Sequence, residues 1–260
     1  MKKLNLITPI LYCLILFITS CGASDNKTND GSITATSVDE VEKTAKSVAE
    51  GEVAIGNQVW TSKNLDVSIF KNGEEIPEAE TKDQWKAFSE ANEAAWCYYE
   101  NITENGVPIR IGKLYNWFAV NDPRGLAPKG YHIPTDKEWS TLTEYLRVKI
   151  IALSAKDKIT KSSVRIIKEK HGSLTGATMK STNGWKNNGS GTNTSGFSGL
   201  PGGCRGSDGS FGSIGNIGFW WSSSESSGNE AWYLSLSDGG FVIRSSYGKQ
   251  SGFSVRCLKD

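Results

Sequence analysis

The C-terminal part of the chain reads Trp232-Tyr-Leu-Ser-Leu-Ser-Asp-Gly-Gly-Phe-Val-Ile243, and after Gly252 it continues Phe253-Ser-Val-Arg-Cys257. Trp232, Leu234 and Leu236 alternate, Asp238-Gly239-Gly240 supplies a turn, and Phe241 and Ile243 alternate on the far side. Phe253, Val255 and Cys257 alternate again. Period-two runs separated by Gly-rich turns predict an antiparallel meander with one buried face.

Upstream, Gly172–Gly252 holds 19 of the 28 Gly, with many Ser and Asn. Such a composition usually makes a flexible linker. Here Trp185, Phe197, Phe211, Phe219, Trp220 and Trp221 punctuate it. The segment therefore reads as a long ordered loop region, with Gly serving turns and aromatics anchoring them to a core.

Toward the N-terminus, Val53–Trp60 reads as a tight hairpin with Gly56-Asn57 at its turn. Thr81 and Gln84 form a capping-box pattern ahead of Trp85 and Phe88, predicting a helix at 82–91. Cys97-Tyr98-Tyr99 reads as a strand, and Leu114–Val120 as a short helix with Leu114, Trp117 and Phe118 on one side. Thr135 and Glu138 form a second capping box, and Trp139, Leu142 and Leu146 then repeat on one helical stripe. Residues 147–170 carry eight basic residues and two acids, without aromatics. Two readings stand for this basic insertion (147–172): a patch for an anionic ligand, or a solvated excursion.

Lys2 and Lys3 precede a mostly apolar run over residues 4–18, as in a signal peptide. The run ends Ile18-Thr19-Ser20-Cys21, which resembles a bacterial lipobox. That resemblance implies cleavage after residue 20, lipidation of Cys21 and an outer-membrane location, because Gly22 replaces the Asp that retains lipoproteins at the inner membrane. Residues 21–52 then read as the lipidated Cys and a flexible tether. The segment has seven acids from Asp25 to Glu52 and no aromatic residue, too little apolar surface to offset the entropy of ordering. A single domain at 53–260 carries all nine Trp.

Charge and composition exclude several function classes. With 29 Lys+Arg against 28 Asp+Glu, nucleic-acid binding by bulk charge is not expected. His132 and His171 are the only His, which nearly rules out a His-based zinc site, and no metal or cofactor is expected.

The matching stretches Val53-Ala-Ile-Gly-Asn-Gln-Val-Trp60 with Asn64-Leu65, Trp96-Cys-Tyr-Tyr99, Gly112-Lys-Leu-Tyr-Asn-Trp117 and Leu126-Ala-Pro-Lys-Gly-Tyr-His-Ile-Pro-Thr-Asp136 occur in order. They are followed by Thr192-Asn-Thr-Ser-Gly-Phe197, Leu200-Pro-Gly-Gly203 with Arg205, Gly218-Phe-Trp-Trp-Ser-Ser-Ser-Glu225 and Gly252-Phe-Ser-Val-Arg-Cys257. Together they resemble the Fibrobacter succinogenes major paralogous domain. The basic insertion departs from that pattern.

The resemblance implies an α+β class and a C-type-lectin-like fold related to formylglycine-generating enzymes. Such a fold has a twisted antiparallel sheet, two to three flanking helices and a long Gly-rich loop region. It implies no settled activity. Catalysis of the formylglycine-generating type would need two closely spaced Cys, and the iron-dependent relatives a His cluster; this chain has neither. The chain is therefore read as a non-catalytic binding module.

Sugar recognition needs flat aromatic faces and planar polar groups. Trp185, Asn193, Asp208, Trp220, Trp221, Glu225 and Arg244 lie in or beside the loop region and are the candidate ligand residues. Trp220 and Trp221 are adjacent on a strand, so one is expected in the core and the other at the surface. The bland alternative is that Asn193, Ser195 and Arg205 satisfy loop backbone and that most Trp are core. Asp208, Glu225, Glu230 and Asp238 form no tight acidic motif, so a calcium-dependent lectin is not expected. Among the domain's thiols, a Cys97–Cys257 disulfide is expected, against the alternative of three buried free thiols. The partners expected are the membrane, through the lipid, and a glycan or envelope protein; nucleic acid is not.

Overall fold

The computed structural model describes residues 48–99, 103–104, 107–108, 111–156 and 174–260. The expected signal peptide, Cys21, most of the expected tether and the basic insertion from residue 157 onward lie outside the described residues. The architecture is mixed α+β, built from small antiparallel sheets and four helices.

The chain opens with the hairpin read from sequence, β1 (Glu52–Ile55) and β2 (Gln58–Thr61), in the register Ile55↔Gln58. Gly56, at φ +64°, takes the first turn position, where hairpin turns require a residue that tolerates the left-handed region. Glu52 belongs to this strand and not to the tether. Lys259 donates to it at 2.8 Å and the Tyr131 hydroxyl donates to it as well. Helix α1 (Lys82–Ala91) starts at the Thr81/Gln84 capping box and buries Trp85. Beyond it lie β3 (Trp96–Cys97), β4 (Thr103–Glu104), β5 (Val107–Pro108) and β6 (Leu114–Tyr115).

Leu114 is a correction to the expected helix, since it is extended and paired with Cys97. The helix begins later, as α2 (Trp117–Val120), because Asn116 caps it by accepting from the Ala119 N–H. Strand β7 (Tyr131–His132) leads into α3 (Asp136–Lys156), which buries Trp139, Leu142 and Leu146 as the stripe predicts. Helix α3 continues through the first ten residues of the basic insertion. There Arg147 pairs with Glu144, while Ile151 and Leu153 stand exposed. A short helix absent from the sequence reading, α4 (Leu174–Met179), follows. Its Gly176 is required by close approach: an added Cβ would lie 2.0 Å from the Gly240 carbonyl oxygen.

The remaining strands are β8 (Cys204–Arg205), β9 (Phe211–Gly212), β10 (Ile217–Ser227), β11 (Glu230–Ser237), β12 (Val242–Gly248) and β13 (Leu258–Lys259). One sheet runs β1-β2-β13-β7 and so joins both ends of the domain; another runs β10-β11-β12.

Strand β10 lies between two cores, which overturns the expectation for its tryptophans. Trp220 packs with Trp60, Trp139 and Phe197, and Trp221 packs with Trp117, Phe253 and Val255. Both indoles have no exposed surface. Alternation sends adjacent residues to opposite faces, but here each face is covered.

The meander also differs in its return strand. Leu236 pairs with Val242, so Val242 points inward and Phe241 and Ile243 are exposed at 58% and 48%. The loop before Phe241 is one residue too long for the expected phase, and a one-residue slip reverses every side chain.

The last segment is not a third meander strand. Phe253, Ser254, Val255, Arg256 and Cys257 are all buried. Their backbone bonds run to Tyr115, Phe219, Trp221, Leu65 and Thr61, threading the molecule's centre. The disulfide is not formed. Cys97 packs with Ala79, Trp85 and Leu114, Cys257 packs in the separate cluster around Phe253 and Val255, and Cys97, Cys204 and Cys257 are free.

Candidate functional site: an aromatic groove beside buried cationic staples

The loop region has little regular structure, so its backbone oxygens need partners from side chains. Three buried cations supply them. Arg256 donates from Nε to Asn64 Oδ1 (2.8 Å) and from its terminal nitrogens to the carbonyls of Thr61, Phe197 and Ser198. Arg205 donates to the carbonyls of Ala79, Thr81 and Gly209 and lies over the Trp85 and Phe211 rings. The Lys180 ammonium donates to the carbonyls of Gly189, Ser237 and Asp238. Burial lowers the pKa of Arg256, yet four oxygen acceptors hold its charged form.

The candidate residues named from sequence fall into this same scaffolding. Trp185 is buried, and its indole donates to Ser181 and to the Gly199 carbonyl. Trp220 donates to Asn64 and Trp221 to the Tyr115 carbonyl. None of the three offers a ring face to solvent, which corrects their assignment as stacking platforms. Asn193 adopts φ +51° and exchanges two 2.8 Å hydrogen bonds with Ser198. It also lines a polar groove of about 550 Å³ with Lys63, Asp66 and Asn183. Glu225 pairs with Lys249 at 2.9 Å, and Arg244 is bidentate to Asp136. Asp208 accepts from Ser210 and faces Lys82 at 3.7 Å. The Ser210 hydroxyl and backbone hold its carboxyl below the usual range.

The two partners of Asp208, Lys82 and Ser210, line a second groove of about 820 Å³ that the sequence does not announce. It is lined by residues 78–82, by Tyr98 and Tyr99, and by Arg205, Ser210 and Phe211. Tyr99 and Phe211 are half-buried, with ring centroids 4.9 Å apart. Tyr98 is turned edge-on to Trp96, and the Lys113 ammonium donates to its hydroxyl. Glu78, Glu80, Lys82 and Ser210 are exposed. Cys97 lies at the groove, where burial pushes its thiol up to about 11. A thiol that stays protonated at neutral pH is a poor nucleophile. The groove thus combines an aromatic wall with hydrogen-bonding carboxylates and hydroxyls.

A family model, the Fibrobacter succinogenes major domain, matches residues 53–259. The chain belongs to this family. No curated protein and no solved structure matches it. In this Fibrobacter succinogenes major domain, several of the motifs that carry the resemblance turn out to be architectural. Thr192-Asn-Thr-Ser-Gly-Phe197 ties the loop to α4: the Thr192 N–H donates to the Ala177 carbonyl, and the Ser195 N–H and hydroxyl donate to the Thr178 carbonyl. Asn64 is the hub that accepts from both Arg256 and Trp220. By contrast, Glu80, Lys82, Ser210 and Phe211 lie outside the shared motifs. Tyr98 and Tyr99, expected in a strand, lie just beyond β3, and with Phe211 they are the aromatic signal that the sequence offers for this groove.

Proposed function

We propose that this chain is a lipid-anchored protein of the bacterial outer membrane whose Fibrobacter succinogenes major domain is a non-catalytic, lectin-like binding module for a glycan. The Tyr99–Phe211 ring pair and the exposed Glu78 and Glu80, which line the same 820 Å³ groove, carry the reading. Sugar rings present C–H faces that stack on aromatics and hydroxyls that donate to carboxylates. The lectin-like fold is part of this reading. It is supported by the joined ends of the domain, a loop-rich half and flanking helices.

Glycan-array binding tests it. Tyr99→Ala and Phe211→Ala are expected to weaken binding about tenfold, about 1.4 kcal/mol, while Trp221→Phe, in the core, leaves ligand preference unchanged. Absence of binding to any glycan at high valency would end the sugar reading. Lipid anchoring is tested separately with a palmitate analogue, expected to label the wild type and not Cys21→Ala.

A second reading, an assembly role through an envelope protein, is favoured by the exposed Ile243 and Tyr247 on β12 and by Phe241 just before it. Clustered apolar side chains on a sheet edge mark contact surfaces.

A further inference from the structure

The β10-β11-β12 sheet has one edge covered and one edge open. On the β10 side, Trp220 bridges to Ser254 and the Trp221 N–H donates to the Ser254 carbonyl. On the other side, among the described residues, β12 has no neighbouring strand in the sheet order. The Ser237 N–H donates to the Phe241 carbonyl across the hairpin. Ladder bonds in an antiparallel pair recur every second residue. The odd-numbered residues of β12 therefore point their backbone groups at β11, and Val242, Arg244, Ser246 and Gly248 point theirs outward.

We propose that β12 pairs antiparallel with β12 of a second copy of this chain, about a two-fold axis at Ser245. That register uses all seven residues of the strand. Val242 meets Gly248 and Arg244 meets Ser246 in hydrogen-bonded pairs, each occurring twice. Ile243 meets Tyr247 in a non-hydrogen-bonded pair, where side chains approach most closely and aromatic against β-branched is favourable. These two are exposed at 48% and 41% in the single chain.

Charge does not oppose the pairing. Ser246 donates to Glu230, so each Arg244, held by Asp136 of its own chain, arrives beside the other copy's Ser246–Glu230 pair and not beside a second cation. Two-fold self-pairing of this kind is isologous and closed, so it yields a dimer and not a fibre.

The inference shares its strand with the assembly reading and adds only that the partner is the chain itself. The test is cysteine cross-linking of the full-length chain in intact cells under a mild oxidant, resolved without reductant. Ser245→Cys is expected to give a band of twice the chain's mass, because directly opposed non-hydrogen-bonded residues bring Cα atoms within disulfide range. Ser226→Cys, exposed on β10, serves as the control. Adding Ser246→Pro, which removes an outward N–H that the β11 ladder does not use, is expected to abolish the band. A doubled band from Ser245→Cys that exceeds the control and is lost with Ser246→Pro supports the pairing. No excess over the control, or a band that survives Ser246→Pro, overturns it. A photo-cross-linker at Phe241 separates the two readings. A product with a different protein overturns self-pairing and keeps the assembly reading; no product at all removes both.

Discussion

Arg256 has no exposed surface, and the four hydrogen bonds it donates go to neutral oxygens. Replacing it with Met keeps the volume and strands those acceptors in the interior. Each buried unsatisfied acceptor costs about 1–3 kcal/mol, so Arg256→Met is expected to lose more than about 3 kcal/mol. A urea unfolding curve measures it, and a midpoint like wild type would mean that water or a neighbour takes over the bonds. Gly203 makes the same point about backbone. It adopts φ +64°, and a Cβ there would lie 2.5 Å from the Gly212 carbonyl oxygen. Gly203→Ala is expected to destabilise by more than about 1 kcal/mol. Motif residues such as these were visible in the sequence, but their roles were not. A buried Arg bonded to carbonyls looks in sequence like a ligand-binding Arg.

At the scale of elements, β7, α3 and the C-terminus meet at His132. Its Nε2 lies 3.0 Å from Glu138 and its Nδ1 2.8 Å from Asp260. Burial works against the charged imidazolium, but hydrogen bonds to Asp260 and Glu138 outweigh it and raise the pKa above the ordinary 6.5. A raised folded-state pKa stabilises fully below the unfolded value and loses that contribution as pH rises through the folded one. Thermal stability is therefore expected to fall from pH about 6 to pH about 8. The slope should shrink in His132→Gln; an unchanged slope would assign it to another group. Glu52 works in the opposite direction. The Lys259 ammonium and the Tyr131 hydroxyl hold it at about 2, so its contribution is present above the usual carboxylate range and fades as pH falls toward that value. Both helix starts with capping boxes were legible from local spacing, because capping depends on residues within one turn. The phase of β12 was not, because it depends on which residues the turn leaves to pair.

For the whole domain, the free thiols give a direct readout. Cys97 and Cys257 are held near 11 and 12 by burial, so both are protonated and shielded in the native state. The domain Val53–Asp260 is expected to react at no more than one thiol natively and at three on denaturation without reductant. A single reactive thiol after denaturation would restore the Cys97–Cys257 bond. The groove at Tyr99 and Phe211 also belongs to this scale. Its lining comes from residues 78–82, 97–99 and 205–211, and the Arg205 bonds to Ala79 and Thr81 tie the first of these to the last.

The sequence by itself determined the family, the α+β class, the first hairpin, both capped helices and the loop-rich C-terminal half. These follow from local periodicity, turn chemistry and motif order. Only the tertiary structure decided which aromatics face solvent. Trp220 and Trp221 carry the strongest aromatic signal and are both buried, because a strand between two cores has no outer face. Tyr99 and Phe211, far apart in the chain, meet half-buried at a groove where Arg205 ties its own loop to residues 79 and 81.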